Sequence, residues 1–318
     1  WIAGLEDRDS TDFPAFSGSV GPGSENPRKP SLRSADSRNG GTVPRANPMS
    51  NSTESQQGES VAPETNNGET PSGESWWGDF FRGLWLEVQR RTKSHELTVK
   101  EIDFLERAYD LPKGAKLVDA PCGVGRHSIE LASRGYNVTG IDITEPFVED
   151  ARASSKEAGV QVDWRIGDMR KLPQDSFDVV TCLWGSFGYF EDDGNREHVA
   201  AAFAALKPGG QFLFDTHTTE TLLPKIAEAR AWRQVDDIMI LEERRFDLEG
   251  SRTVTDWTLI RGDERFEDTT SIRLYSYREI VMMLRDAGFE VETVSGSLDG
   301  APFTLGSSRL FIGARKPV

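Results

Sequence analysis

The residues best suited to chemistry lie in one segment, Leu117-Val118-Asp119-Ala120-Pro121-Cys122-Gly123-Val124-Gly125-Arg126-His127. An apolar run leads into a tight glycine turn, and a helix-forming sequence leads out of it. A strand feeding such a loop gathers backbone N–H groups and a helix N-terminus around a small ligand. A second acidic side chain closes the next apolar run, Val138-Thr139-Gly140-Ile141-Asp142. A carboxylate there is placed to accept hydrogen bonds from two ribose hydroxyls. Together these features point to an adenosine-containing ligand. Asp119 narrows the choice, because a carboxylate ending the first strand suits an ammonium group better than a pyrophosphate. A dinucleotide fingerprint would run from Gly123 to Ser128, with serine replacing the third glycine that normally allows close helix–strand packing. Both features weigh against a nicotinamide cofactor.

Holding such loops in place takes alternating strands and helices. The sequence predicts strands over 116–120, 137–141, 162–166, 177–183 and 211–215, with helices over 127–134, 146–158 and 195–206 between them. That rhythm implies a mostly parallel sheet with helices on both faces. It changes after residue 232. Runs 239–247, 253–261 and 268–275 read as three strands separated by the turn signals Glu249-Gly250 and Gly262-Asp263. This is an antiparallel β insertion, bounded at 233–276. A helix over 277–287 follows, and runs 289–294 and 309–314 can close the sheet as an antiparallel edge pair. Ahead of the first strand, Phe80, Phe81, Leu84, Trp85 and Val88 fall at helical spacing over 80–91. Thr98-Val99-Lys100-Glu101 then reads as a capping box opening a second helix. The expected fold class is α/β: a doubly wound, seven-stranded, mostly parallel sheet with an N-terminal helical cap and the antiparallel insertion.

The remaining composition sets limits. Within the 318 residues, positions 17–75 are dominated by Gly, Ser, Pro, Asn, Thr and Glu. Such a stretch cannot bury enough apolar surface to offset the entropy of ordering it. Residues 1–75 therefore read as a disordered low-complexity tail and 76–318 as the folded domain. The chain begins at Trp1, and Met49 is an alternative start. A net charge of −15 argues against nucleic acid as a partner. No apolar run reaches the ~20 residues that span a bilayer, and no basic-then-apolar leader opens the chain. The two cysteines, Cys122 and Cys182, end predicted core strands and belong to no CxxC or Cys/His cluster. They read as buried thiols in a reducing cytoplasm, with no metal site.

On these motifs the chain resembles the class I S-adenosylmethionine-dependent methyltransferases, which have a Rossmann-like fold. Asp119 to Gly125 matches the family's first motif in its Cys-Gly form, and Asp142 matches the ribose-binding acid. Gly167-Asp168-Met169-Arg170 matches the segment where an acidic side chain meets the adenine amine. Leu206-Lys207-Pro208-Gly209-Gly210 matches the turn before strand five. The resemblance spans about residues 76–316. It implies S-adenosylmethionine as cofactor, held by Asp119, Cys122, Gly123, Gly125, Asp142, Ile143, Asp168, Met169 and Leu183.

It also implies that Leu183 to Phe190 faces the methyl group. That segment resembles its counterpart in sugar-amine N-methyltransferases, where a histidine can follow the glycine. Here the position is Tyr189, which can orient a small-molecule acceptor or simply pack. His217, after strand five, is either a general base for the acceptor or a loop histidine. His127 reads as structural. Trp76, Trp77, Phe80, Phe81 and Trp85 can staple the first helix to the core or form a lid that excludes water. Arg90-Arg91 can meet the cofactor carboxylate or lie on an exposed face. The rival readings are a nicotinamide-dependent oxidoreductase and a non-catalytic module that binds S-adenosylmethionine. One expectation follows from composition alone: removing residues 1–70 leaves folding and donor binding intact. Thermal unfolding and calorimetric titration of the truncated chain check it, and loss of either property refutes the reading of the tail.

Overall fold

Local backbone chemistry decides where the first helices begin and end. The structure, a computed structural model, describes residues 76–92, 94–225 and 230–318, so the expected disordered tail over 1–75 lies outside the described residues. The chain opens with α1 (Trp76–Asp79) and α2 (Leu84–Arg91). Gly83 separates them at φ 53°, a left-handed conformation that glycine adopts without steric cost, so the single helix expected over 80–91 is broken. α3 (His95–Tyr109) starts three residues before the expected capping box. The true cap is Ser94, whose side chain accepts from the Leu97 N–H. Thr98 lies inside the helix, where its hydroxyl donates to the Ser94 carbonyl.

The alternating region then runs β1 (Lys116–Asp119), α4 (Arg126–Ser133), β2 (Asn137–Asp142), α5 (Glu145–Glu157), β3 (Asp163–Ile166), β4 (Phe177–Cys182), α6 (Asp192–Ala205), β5 (Leu206–Thr216) and the short α7 (Thr219–Leu222). Next come β6 (Arg230–Val235), β7 (Ile238–Asp247), β8 (Arg252–Arg261), β9 (Glu264–Arg273), α8 (Tyr277–Asp286), β10 (Glu290–Ser295) and β11 (Leu310–Arg315). Seven strands form one sheet in the order β10-β11-β5-β4-β1-β2-β3. β3, β2, β1, β4 and β5 run parallel to one another, and β11 is antiparallel to both β5 and β10. The strand order reverses beside β1, between β2 and β4. In open α/β sheets the ligand crevice lies at such a switch point, outside the carboxyl ends of the strands.

Successive strand residues alternate between the two faces of this sheet. Val118, Val180, Phe212 and Ile312 join one buried cluster, with contributions from α6 and α8. Leu117, Val179, Leu213 and Phe311 join another, beneath α3 and α4. Both faces are covered, which is why these strands read as continuous apolar runs.

The antiparallel sheet has four strands, ordered β6-β7-β8-β9, where the sequence suggested three. β6 escaped notice because its sequence, Arg-Ala-Trp-Arg-Gln-Val, has little apolar content. It forms because a turn through Asp236 (φ 50°) folds it back on β7, pairing Val235 with Ile238. The last strand also starts earlier than expected, at Glu264 instead of 268. This sheet receives most of the N-terminal aromatic cluster, while Trp77 packs against the core beneath the parallel sheet. Phe80, Leu84, Trp85 and Val88 pack with Ile238, Ile240, Trp257, Leu259 and Phe266.

Gly125 shows how tightly the first βα turn is packed. It sits at φ 80°, and a Cβ there would run into the Trp164 ring and the Ala151 methyl. Gly125→Ala therefore costs about 1–3 kcal/mol through strain and overpacking. Urea unfolding should show a lower midpoint with an unchanged slope; an unchanged midpoint refutes the packing role.

Candidate functional site

Two buried carboxylates organise the loop after β1. Asp142 ends β2; one of its oxygens accepts the Gly123 N–H at 2.8 Å and the other accepts the Thr144 N–H at 2.8 Å. It thereby ties the glycine loop to the entry of α5. Burial pushes the Asp142 carboxyl up, and the Thr144 and Gly123 N–H groups pull it down without fully offsetting the rise. Asp119 is held in the same manner by side chains. It accepts from the Ser128 hydroxyl at 2.7 Å and from the Thr181 hydroxyl at 3.0 Å. Ser128, the departure from the dinucleotide fingerprint, thus anchors α4 to the end of β1.

The loops after β1, β2, β3 and β4 enclose one large cavity, with about 870 Å³ of empty space including its mouth. Of the residues singled out in the sequence, Cys122, Gly123, Asp142, Ile143, Asp168, Met169, Leu183 and Tyr189 line it. Three others do not, and each has a physical reason. Asp119 is spent on Ser128 and Thr181. Gly125 serves helix–strand packing against Trp164. His217 lines a separate small cavity with Thr253 and Ile272, its Nδ1 3.4 Å from the Thr221 hydroxyl oxygen. Arg90 and Arg91 are likewise engaged elsewhere, the first with Asp150 and the second with Asp237, each at 2.6 Å.

Asp168 faces the cavity already paired. Arg170 holds its carboxylate through two nitrogens, the shorter contact being 2.6 Å, and stacks on the Phe190 ring at 4.2 Å. Burial raises the Asp168 carboxyl, but Arg170 more than offsets this and leaves it below the usual range.

Other residues line the cavity as well: Trp77 is one of the aromatics read as staple or lid, Arg126 closes the glycine segment, and Gln89 was not singled out in the sequence. Trp77 Nε1, Gln89 Nε2 and Arg126 Nη2 are buried, lack a hydrogen-bond partner, and belong to residues of the cavity wall. Buried donors are normally satisfied, so three such donors around one cavity mark a place for a ligand rich in acceptors. Among the described residues no cluster of three or more His, Cys, Asp or Glu side chains could hold a metal ion.

Arg126 and His127 are fixed from behind. Both meet Glu101 of α3, His127 Nε2 at 2.8 Å, and Arg126 also donates to Thr98 Oγ1 at 2.9 Å. The Arg126 guanidinium lies 4.6 Å from the Trp184 ring centroid, and that of Arg309 lies 4.7 Å from it. Asp215 completes the set, accepting from the Trp184 N–H and from Arg309, each at 2.6 Å. These contacts hold Trp184 at φ 67°, a conformation costly for a bulky residue.

Burial alone would raise the Glu101 carboxyl, but His127 and Arg126 outweigh it and hold it at about 2. A carboxyl whose folded value lies below its unfolded one stabilises the fold above the unfolded value, near 4.5. That stabilisation is lost as pH falls towards 2. Glu101→Gln should therefore destabilise the protein by roughly 2–4 kcal/mol at pH 7, because it leaves the partly buried Arg126 guanidinium without its counter-charge. The gap from the parent chain should narrow below pH 4.5. Denaturant titrations at pH 7 and pH 3.5 check both statements.

Comparison with known proteins agrees with this architecture. Residues 117–210 match a family described as a methyltransferase domain. YqeM of Bacillus subtilis (strain 168), named as an inferred methyltransferase, is 27% identical over 213 residues, covering 65% of this chain and 86% of its own. A ubiquinone biosynthesis O-methyltransferase of Hahella chejuensis (strain KCTC 2396) is 34% identical over 136 residues, 42% of this chain and 56% of the relative. Among solved structures, S-adenosylmethionine-bound CalS10, an amino pentose methyltransferase from Micromonospora echinaspora, superposes with a TM-score of 0.54. It is 23% identical, with 74% of this chain and 97% of that one covered. The switch-point cavity and the matching model lead to one assignment: residues 117–210 carry a methyltransferase domain, within a chain that has the class I S-adenosylmethionine-dependent methyltransferase fold.

Proposed function

We propose that residues 76–318 act as a single methyltransferase domain that holds S-adenosylmethionine in the large cavity and methylates a small molecule bearing an amine or hydroxyl group. The observation that carries this reading is the set of three buried, unpartnered donors on the walls of one cavity that also presents Asp142 and Asp168. The donor set fits the cofactor, which combines a carboxylate, a ribose and an adenine.

In this reading Asp142 receives the ribose hydroxyls, since each carboxylate oxygen keeps acceptor capacity beyond its one backbone bond. Gly123 brings bare backbone to the ligand, with Cys122 and Ile143 beside it. Asp168 and Met169 border the adenine, and Arg126 and Gln89 take the carboxylate end. Asp119 is a positioning residue that acts through Ser128 and Thr181. When bound, S-adenosylmethionine supplies a methyl group on a positively charged sulfur, open to in-line displacement. The chain's own task is alignment and exclusion of water. Leu183, Trp184 and Tyr189 border the acceptor side, while Trp77 and Phe81 cover the cavity. His217 faces another cavity, so the first choice for orienting the acceptor is Tyr189, buried against Trp76 at 5.0 Å between ring centroids.

The acceptor class draws support from two relatives, one named for ubiquinone biosynthesis and one for an amino pentose. Two buried free cysteines, Cys122 and Cys182, suit a reducing cytoplasm. Among the described residues no helix is long and apolar enough to cross a membrane.

Calorimetric titration of the full chain with S-adenosylmethionine tests the reading, with NADH as control. Asp142→Asn should weaken donor binding by about 1.5–3 kcal/mol, roughly ten- to a hundredfold. Unchanged affinity in a folded variant removes the ribose role, and binding of NADH alone overturns the cofactor.

A further inference from the structure

Two guanidinium groups lie over one indole in the wall of the large cavity. Trp184 follows β4 and lines that cavity. The Arg126 guanidinium lies 4.6 Å from its ring centroid, and the Arg309 guanidinium lies 4.7 Å from it. Arg309 comes just before β11, on the far side of β5 from β4. Its charge is met by Asp215 of β5. One carboxylate oxygen accepts from Arg309 Nη1 and the other from the Trp184 N–H, each at 2.6 Å. The Arg309 and Asp215 side chains are only 8% and 4% exposed. Taking two charges out of water is costly, and a buried pair adds little stability over apolar residues of similar size. Its effect here is placement: one carboxylate fixes both the backbone of Trp184 and the cation stacked on its ring.

Arg126 is the member of this set with a donor to spare. Its Nη1 donates to Thr98 Oγ1 at 2.9 Å and to Glu101 Oε2. Its Nη2 is buried, lacks a hydrogen-bond partner and belongs to a residue of the cavity wall. A guanidinium is planar and rigid, so its direction is set once one nitrogen and its face are both held. α3 holds the nitrogen and Trp184 holds the face. Asp215 and Arg309 in turn hold Trp184, which keeps a backbone φ of 67°.

We infer that Arg309, paired with Asp215, is a positioning residue for the carboxylate end of the methyl donor, acting through Trp184 on the Arg126 Nη2 donor. The inference rests on the reading that Arg126 takes that carboxylate. A charge-assisted hydrogen bond is strong when aligned and weakens steeply when it is not. A guanidinium released from the indole therefore loses part of that bond, while the adenosine contacts at Asp142 and Asp168 stay as they are. Arg309 is not among the residues lining the cavity. It nevertheless makes the site favour adenosine thioethers that carry an amino-acid group over those that lack one.

The test is calorimetric titration of the full chain with S-adenosylhomocysteine and with methylthioadenosine, which shares the adenosine and the sulfur but lacks the amino-acid group. The parent chain should bind S-adenosylhomocysteine more tightly. Losing the Arg126 bond outright is worth roughly ten- to a hundredfold, so Arg309→Met, which loses part of it, should lower the ratio of the two affinities by at least about threefold. Methylthioadenosine binding should stay unchanged. In an Arg126→Met background the same substitution should leave the ratio where it is, because both residues act in one chain of contacts. A merely structural role moves both ligands together, or neither. An unchanged ratio in Arg309→Met, or a further fall in the Arg126→Met background, overturns the inference. Should Arg309→Met fail to fold, Arg309→Lys decides alone: it keeps a charge beside Asp215 but gives up the planar stack, and a ratio equal to the parent's overturns the inference. A parent preference for S-adenosylhomocysteine that survives Arg309→Met refutes only this inference. Equal binding of the two ligands by the parent chain removes the carboxylate role of Arg126 and this inference with it, and binding of neither refutes the cofactor reading.

Discussion

The buried carboxylate of Asp142 is the constraint on which the site depends. It is one side chain at the end of β2, yet it holds the backbone of two loops, at Gly123 and at Thr144. A carboxylate taken from water needs several donors to compensate its lost hydration. Here they come from main-chain N–H groups of the two segments that border the cavity. Meeting the needs of the charge therefore also sets the shape of the site. Asp119 repeats the device one strand away with hydroxyl donors, and its partner Thr181 belongs to β4. The ends of β1, β2 and β4 are thus joined by charge-assisted hydrogen bonds, which are stronger than neutral ones.

The cover over this cavity is made by different elements. α2 packs on the antiparallel sheet through Trp85 and Trp257, with ring centroids 5.0 Å apart. From that support Trp77, Phe81 and Gln89 reach the cavity wall. Within the aromatic cluster Trp85 packs on the antiparallel sheet, while Trp77 and Phe81 line the cavity. The parallel sheet supplies the rigid base, while the smaller sheet decides what stands over it.

Much of the fold was legible in the sequence because both faces of the parallel sheet are covered. Its strands therefore read as uninterrupted apolar runs between glycine turns, whereas the switch point follows from the strand order that pairing alone establishes. The site was legible in part. Cys122, Gly123, Asp142, Ile143, Asp168, Met169 and Leu183 follow strand ends, and strand ends converge in this class of fold. Gln89, on α2, follows no such rule, and its approach to the cavity depends on the packing of that helix on the antiparallel sheet. β6 was missed for a related reason: it is held by pairing with β7 and has little apolar pattern of its own.

What the sequence determined by itself is the alternating framework and the glycine loop with its two acids. These arise from local periodicity and turn chemistry, which short segments encode. Tertiary structure decided which candidates touch the cavity. Asp119 and Gly125 were withdrawn from its wall because a hydroxyl pair claims the first and the Trp164 ring crowds the second. His217 was placed in another cavity by the path of the chain after β5. Arg126 was brought to the wall by Glu101 and Trp184, residues 25 and 58 positions away in opposite directions. A local pattern carries no record of such partners, because a side chain's burial and the donors left over for a ligand depend on what the rest of the chain packs around it.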